Sequence, residues 1–215
     1  MTVDLAIHQN FQPLLIILIR QTNSLNLCQT MMSDLKFFKM YEDVKEPDFA
    51  TDGSACFDIY SYISDEIVHG KPTPRVTVYT MDNHKEERKV KMLVGDPGEF
   101  YTSIDVYPGE RVLVPTGLIF DIPEGYSVRI HTRSSVPLKR GLMLGNAEGI
   151  IDSDYYHQTY LMYYNAGADL IRIKHKERLA QGELIKNLDY SLEETTIQPE
   201  QSTERVGGFG STGVS

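Results

Sequence analysis

The chain predicts an all-β domain with one short helix, on three observations. From residue 111 onward the apolar residues fall in short runs broken by Pro and Gly, at 111–114, 118–122, 126–131, 141–144, 160–164, 170–173 and 184–190. Within the third run, Tyr126-Ser127-Val128-Arg129-Ile130-His131 alternates cleanly, which puts Val128 and Ile130 on an inward face. No stretch sustains the 3.6-residue period of a long helix. Many short strands with turns at regular spacing imply a sandwich, a jelly roll or a barrel.

Composition narrows the function. A chain of 215 residues with 41% hydrophobic side chains can bury one sizeable core, so one domain plus extensions is expected. A formal charge of -9 argues against a general nucleic-acid or anionic-membrane binder, since such partners are held by basic surfaces. A polyanionic substrate would need local cations. Cys28 and Cys56 are too few for a disulfide scaffold and lack metal-ligand spacing, which fits a reducing cytoplasm; Cys56 reads as a small buried side chain. The apolar run from Leu14 to Ile19 is far shorter than the roughly 18 residues a membrane helix needs. With Asp4 acidic and nothing basic before Arg20, it is also a poor secretion signal.

In order, residues 1–33 form an extension with no caps and no chemistry of its own. Two readings stand for it: a flexible or partner-bound segment, or leader codons before a true start at Met31 or Met32. The β domain occupies 34–194. Its first motif runs from Gly53 through Ser54, Ala55 and Cys56 to Phe57-Asp58-Ile59-Tyr60, where Asp58 sits among apolar neighbours in a half-buried strand. An aspartate satisfied by backbone amides is as good a reading of Asp58 as a catalytic one. Residues 65–100 carry no motif and read as an inserted, protruding hairpin, with strands at 75–79 and 89–94 around a charged turn at 82–87. His69 and His84 read as solvated loop residues, because neither has a second ligand at metal spacing.

The one helix is expected to begin within Arg133-Ser134-Ser135-Val136-Pro137, with Ser135 as cap, Pro137 in the first turn and Gly141 just past the end. Its free amides, the hydroxyls of Ser134 and Ser135 and the guanidinium of Arg133 would suit a phosphate; a cap without ligand is the plain alternative. At 146–155 follows Asn146-Ala147-Glu148-Gly149-Ile150-Ile151-Asp152-Ser153-Asp154-Tyr155, read as a short hairpin. Gly149 permits a bend or close backbone approach. Ile150 and Ile151 favour extended structure, so Asp152 projects from a rigid strand and could serve as a general base. Aspartates near a turn are also ordinary turn formers.

Gln181 follows Ala180 inside an apolar strand, and a buried glutamine needs either a backbone partner or a ligand. Residues 195–204 read as a linker delivering a glycine-rich tail, 205–215, with Phe209 among Gly207, Gly208, Gly210 and the hydroxyls of Ser211 and Thr212. Such a tail would order around phosphates and stack its one aromatic ring on a base; a merely flexible terminus is the alternative.

Five of these segments, in this order, resemble the motifs of the trimeric deoxyuridine triphosphatases, including phage-type members: Gly53 to Asp58, Arg133-Ser134-Ser135, the stretch ending in Asp152 and Tyr155, Glu177-Arg178-Leu179-Ala180-Gln181, and Gly207 to Gly213. That resemblance implies a distorted jelly roll (β-clip) and the hydrolysis of dUTP to dUMP and pyrophosphate. It makes Asp152 the base for a water attacking the α-phosphorus. Arg133, Ser134, Ser135, Gln181 and Arg205 would hold the phosphates, with Arg178 in support and Mg²⁺ bound mainly by the triphosphate. Asp58 would support the site and reach the metal through water. The segment of Asn146, Gly149 and Ile151 would pair with uracil's edge, and Tyr155 would pack under the sugar and reject a 2′-hydroxyl. Phe209 would stack on the base, while Gly210, Ser211 and Thr212 wrap the phosphates. A homotrimer with shared sites follows from the same resemblance. The chain departs from the pattern twice: the family's last motif reads Arg-Gly-X-Gly-Gly-Phe, one residue longer than Arg205-Val206-Gly207-Gly208-Phe209, and Cys56 stands where the family prefers Gly.

The dCTP deaminases share the fold, the Arg-Ser-Ser segment and an Ile-Asp turn. They place a catalytic glutamate in the strand before Tyr-Asn, where this chain has Met162, which cannot move protons. A second alternative is a regulatory binding protein on the same scaffold, with residues 65–100 as the contact surface for a protein partner.

Overall fold

A computed structural model describes residues 34–64, 75–96 and 98–204. They form fourteen strands and one helix, the all-β class that the sequence predicts. In chain order the strands are β1 (Lys36–Lys39), β2 (Phe57–Tyr60), β3 (Val76–Tyr79), β4 (Lys85–Arg88), β5 (Lys91–Val94), β6 (Phe100–Val106), β7 (Arg111–Pro115), β8 (Leu118–Asp121) and β9 (Tyr126–Thr132). After the helix α1 (Ser135–Arg140) come β10 (Leu142–Leu144), β11 (Gly149–Asp152), β12 (Tyr160–Asn165), β13 (Ile171–Lys174) and β14 (Arg178–Lys186). They assemble into sheets ordered β10-β12-β7-β3-β4, β11-β9-β14-β2, β13-β6-β5 and β1-β8. Every pairing is antiparallel.

Period-2 alternation fills the space between sheets. β12 buries Leu161, Tyr163 and Asn165 and exposes Tyr160, Met162 and Tyr164. Val128 and Ile130 of β9 are 0% and 1% exposed, the inward face expected of them. They pack with Ile59, Val112, Val114, Phe120, Leu142 and Leu179 in one core. β2 and β14 lie close because Gly182 has no side chain: a Cβ there would come within 2.7 Å of the Phe57 ring.

Four expectations are corrected. First, residues 146–155 do not form a hairpin: they hold a single strand, β11, which pairs with β9. β10 pairs with β12 and β11 with β9, so the chain crosses from one sheet to another through residues 145–148. Ala147 takes the left-handed conformation (φ 62) that the turn requires, while Gly149 supplies the close approach, lying 3.1 Å from Ile130 Cβ were it to carry a Cβ. Second, Ser134 rather than Ser135 occupies the cap position of α1, and its hydroxyl makes no capping bond; Gly141 closes the helix at φ 68 as expected. Third, the segment before residue 100 does not protrude as an isolated hairpin. β3 is an interior strand between β7 and β4, with Val76 and Val78 buried, and β5 pairs with β6. The charged stretch read as a turn is one only up to about residue 84, and its second half enters the edge strand β4, where exposed Lys and Glu suit a sheet border. The last strand also lies earlier than its apolar run suggested: β14 ends at Lys186, and Leu188 and Tyr190 beyond it are exposed.

Ion pairs pin this segment to the domain. Arg88 forms two bonds to Glu110 (2.6 and 2.7 Å) across from β4, and Asp105 of β6 receives Lys91 Nζ (2.6 Å) and Arg172 Nε (2.7 Å) from the strands on either side. The bonds from Arg172 and then Lys91, against the opposing effect of burial, hold the Asp105 carboxyl below its ordinary range. For Glu110, burial alone would raise the carboxyl, but the bonds from Arg88 and the Tyr107 amide outweigh it and leave it lowered. Carboxyls lowered in the folded state contribute stability that is complete above their unfolded values, roughly 3.9 for Asp and 4.3 for Glu, and is lost as pH falls through the folded ones. Urea midpoints should therefore hold steady down to about pH 5 and fall steeply below about pH 4. Glu110→Gln should give a shallower acid limb, and an unchanged limb would remove this pair from the account.

Candidate active site

The four-stranded sheet β11-β9-β14-β2 turns one face to the core and the other outward. The register sets the outward row: Gln181 lies opposite both His131 of β9 and Asp58 of β2, and Glu148 is the residue before the Gly149↔Ile130 pair. Two steps along sit Glu183, Arg129 and Ile150, and two further steps bring Ile185, Ser127 and Asp152.

Asp58 anchors one end of this face. It is buried (5% exposed), its amide donates to Asp48 O (2.8 Å), and each carboxylate oxygen has its own arginine. Oδ1 lies 3.1 Å from Arg133 Nε and Oδ2 lies 3.0 Å from Arg178 Nη1. Arg133 leaves the end of β9 with its amide donating to Leu179 O (3.3 Å), and Arg178 opens β14. The carboxylate therefore holds two guanidiniums side by side beside Gln181, which is half-buried. Tyr60 adds a bond to Asp48 Oδ1 (2.7 Å), and burial followed by that bond pushes its phenol up to about 12. Ser134 and Ser135 are exposed at the start of α1, adjacent to Arg133.

Asp152 ends β11, exposed, with its carbonyl accepting from the Tyr155 amide (3.1 Å). Tyr155 donates its hydroxyl to Gln158 O (3.0 Å) and sets its ring edge-on to His157 at 5.6 Å. Asn146 and Ala147 form the crossing turn, where the Glu148 amide donates to Asn146 O (2.7 Å), and Ile151 packs on the core opposite Val128. Arg205, Phe209, Gly210, Ser211 and Thr212 lie outside the described residues.

One chain thus brings together Asp58, Arg133, Arg178 and Gln181 but not Asp152. From the His131 row to the Ser127 row is four residues along β9, and Asp152 is two strands from Gln181. At ~3.3 Å per residue and ~4.8 Å per strand the two ends lie roughly 16 Å apart. Sequence reasoning singled out neither His131 nor the glutamates that face it. The signal was present: the alternation that sent Val128 and Ile130 inward sends Arg129 and His131 outward.

Among the described residues no group of three or more His, Cys, Asp or Glu is arranged to hold a metal. Both oxygens of Asp58 are held by arginines, which leaves neither free for direct metal coordination.

The fold is an all-β scaffold of jelly-roll type that carries two arginines paired to one buried aspartate on an outward sheet face. Comparison makes this specific. The dUTPase family profile matches residues 100–213. A deoxyuridine 5'-triphosphate nucleotidohydrolase of Caulobacter vibrioides is 31% identical over 181 residues, covering 82% of this chain and 93% of that one. One from Brucella suis is 40% identical over 111 residues, 52% of this chain and 70% of that one. The chain belongs to the dUTPase family. Its fold matches a dUTPase of Staphylococcus bacteriophage 80alpha solved with dUpNHpp (TM-score 0.59, 18% identity, covering 85% of this chain and all of that one). It also matches the dUTPase of Streptococcus mutans (TM-score 0.51, 21% identity, 72% and 98% coverage).

Proposed function

We propose that this protein hydrolyses dUTP to dUMP and pyrophosphate, limiting uracil in DNA and supplying dUMP. The reading is carried by the Asp58–Arg133–Arg178 cluster beside Gln181, an array of donors and positive charge suited to a triphosphate in a chain of the dUTPase family. Asp152 orients a water and takes its proton as the water oxygen bonds to the α-phosphorus, and the bond to the bridging oxygen breaks to release pyrophosphate. Arg133, Ser134 and Gln181, with Arg205 of the tail, stabilise the phosphoryl oxygens, and Arg178 supports them through Asp58. Mg²⁺ brought by the triphosphate supplies further neutralisation of those oxygens. Backbone groups around Asn146 and Gly149, with Ile151, read uracil's edge and leave too little room for thymine's methyl; Tyr155 packs under the deoxyribose. Phe209, Gly210, Ser211 and Thr212 complete the base and phosphate contacts.

Because Asp152 stands roughly 16 Å from Gln181, each site takes these residues from different copies, and a homotrimer in the cytoplasm is the assembly we propose. The side chains of Met92, Val94 and Phe100, more than half exposed on the β5–β6 edge, would serve a protein partner of the 65–100 segment. Deamination of dCTP is disfavoured, since Met162 points outward from β12 with no proton to exchange. Incubation with dUTP, dCTP and dTTP, with and without Mg²⁺, tests the reading. Pyrophosphate and dUMP should form from dUTP alone, and release of dUTP from dCTP would overturn it.

A further inference from the structure

The outward row contains a titratable side chain that the dUTP reading does not use. His131 is opposite Gln181 on β14, so its ring stands one strand from the residue assigned to the phosphates. Its Nε2 lies 3.1 Å from Glu183 Oε1 on β14, and its Nδ1 lies 3.7 Å from Glu148 Oε1 in the crossing turn. Glu148 is also 3.4 Å from Arg129, the next outward residue of the same strand as His131. Beyond Gln181, β2 contributes Asp58, which pairs with Arg133 and Arg178, and just before β2 stands Cys56, whose thiol is pushed up by burial and then by Glu183 and Asp58.

The charges on this end of the face cancel. Arg129, Arg133 and Arg178 oppose Asp58, Glu148 and Glu183, and each carboxylate lies within 3.7 Å of a cation or of His131. Imidazole is the side chain whose charge ordinarily changes between about pH 5 and 8. At this end one imidazole stands between carboxylates of two different elements, hydrogen-bonded to Glu183 and 3.7 Å from Glu148. A nucleoside triphosphate brings several negative charges to that end, and binding that is tighter to the protonated face must draw a proton onto it.

We propose that His131 is a positioning residue that takes up a proton as the triphosphate binds, making affinity for the triphosphate pH-dependent while leaving the base and sugar contacts alone. This rests on the dUTP reading above. The test measures binding of dUMP and of an imido analogue of dUTP to the full-length protein by calorimetry, at pH 6 and pH 8, in buffers of different ionisation heat. The nucleotide's own phosphates titrate equally with every variant, so differences between variants isolate the protein's proton. The wild type should bind the analogue about tenfold more tightly at pH 6 than His131→Gln does, with extra proton uptake, while dUMP affinity stays within about twofold. His131→Arg, carrying a fixed charge in the same partly exposed position, should keep tight analogue binding at both pH values. In turnover the Gln variant should raise KM at pH 6 with kcat little changed. Equal proton uptake by wild type and His131→Gln, or an equal loss for dUMP and analogue, would overturn the proposal by making His131 merely structural. If the wild type bound neither nucleotide, the failure would lie with the dUTP reading itself.

Discussion

Asp152→Asn should lower turnover by about 10² or more while leaving dUMP affinity within about twofold of wild type. Asparagine keeps the shape of aspartate but cannot accept the proton of the attacking water. Asp152 is exposed at the end of β11, so the exchange disturbs no packing, and β11 keeps its pairing with β9 through backbone groups. The residues assigned to uracil, Asn146 and Gly149, lie earlier in the chain and retain their turn. Asp154 is the natural control. It shares the sequence signal of Asp152, yet it falls past the end of β11 in the turn closed by the Tyr155 amide. Asp154→Asn should therefore remain within a few-fold of wild type. Near-normal turnover in Asp152→Asn would remove that residue from its role, and a loss confined to Asp154→Asn would move the base by two positions.

How far the sequence carries the fold depends on what each signal measures. Alternation is a local property, so β9 and β12, with their strict inward and outward residues, were legible from the chain alone. Strand pairing is not local. Nothing between Leu144 and Gly149 announces that β10 joins β12 while β11 joins β9, and the residue that makes the crossing is an alanine in a conformation few non-glycine residues adopt. Apolar runs mislead where burial needs a neighbour that the sequence does not name. Leu188 and Tyr190 suggested that the last strand runs on but stand exposed beyond Lys186, whereas Gln181 lies in a strand as its place after Ala180 implied. The site behaves the same way. Each motif names a residue type with its chemistry, and Asp58, Arg133, Arg178 and Gln181 do converge. The motifs do not contain the distance from that cluster to Asp152, nor the placing of His131 between Glu148 and Glu183, because both are set by register across three strands.

Two inactive variants should restore one another. Asp152→Asn removes the proposed base and Arg133→Gln a proposed phosphate ligand, while Asp58 keeps Arg178 and so is not left unpaired. If both residues served a site within one chain, every chain of a mixture would be defective and activity would stay near zero. The geometry argues otherwise: reacting groups must come within about 3–3.5 Å of their target, whereas the backbone at Asp152 lies roughly 16 Å from that at Gln181, and Arg133 lies two residues beyond the His131 row opposite Gln181. When the base comes from one copy and the arginine from the next, a site is intact only where a chain with native Asp152 meets a chain with native Arg133. Random trimers from an equal mixture satisfy this at about a quarter of their sites, so unfolding the two variants together and refolding them should recover about 25% of wild-type turnover. A chain carrying both substitutions, mixed equally with wild type, sharpens the test. Sites shared between copies would then keep about a quarter of the activity and sites within one chain about a half, because a shared site needs two native chains to meet. Recovery near zero in the first mixture together with a half in the second would place the whole site in one chain and require Asp152 to move far from where β11 holds it.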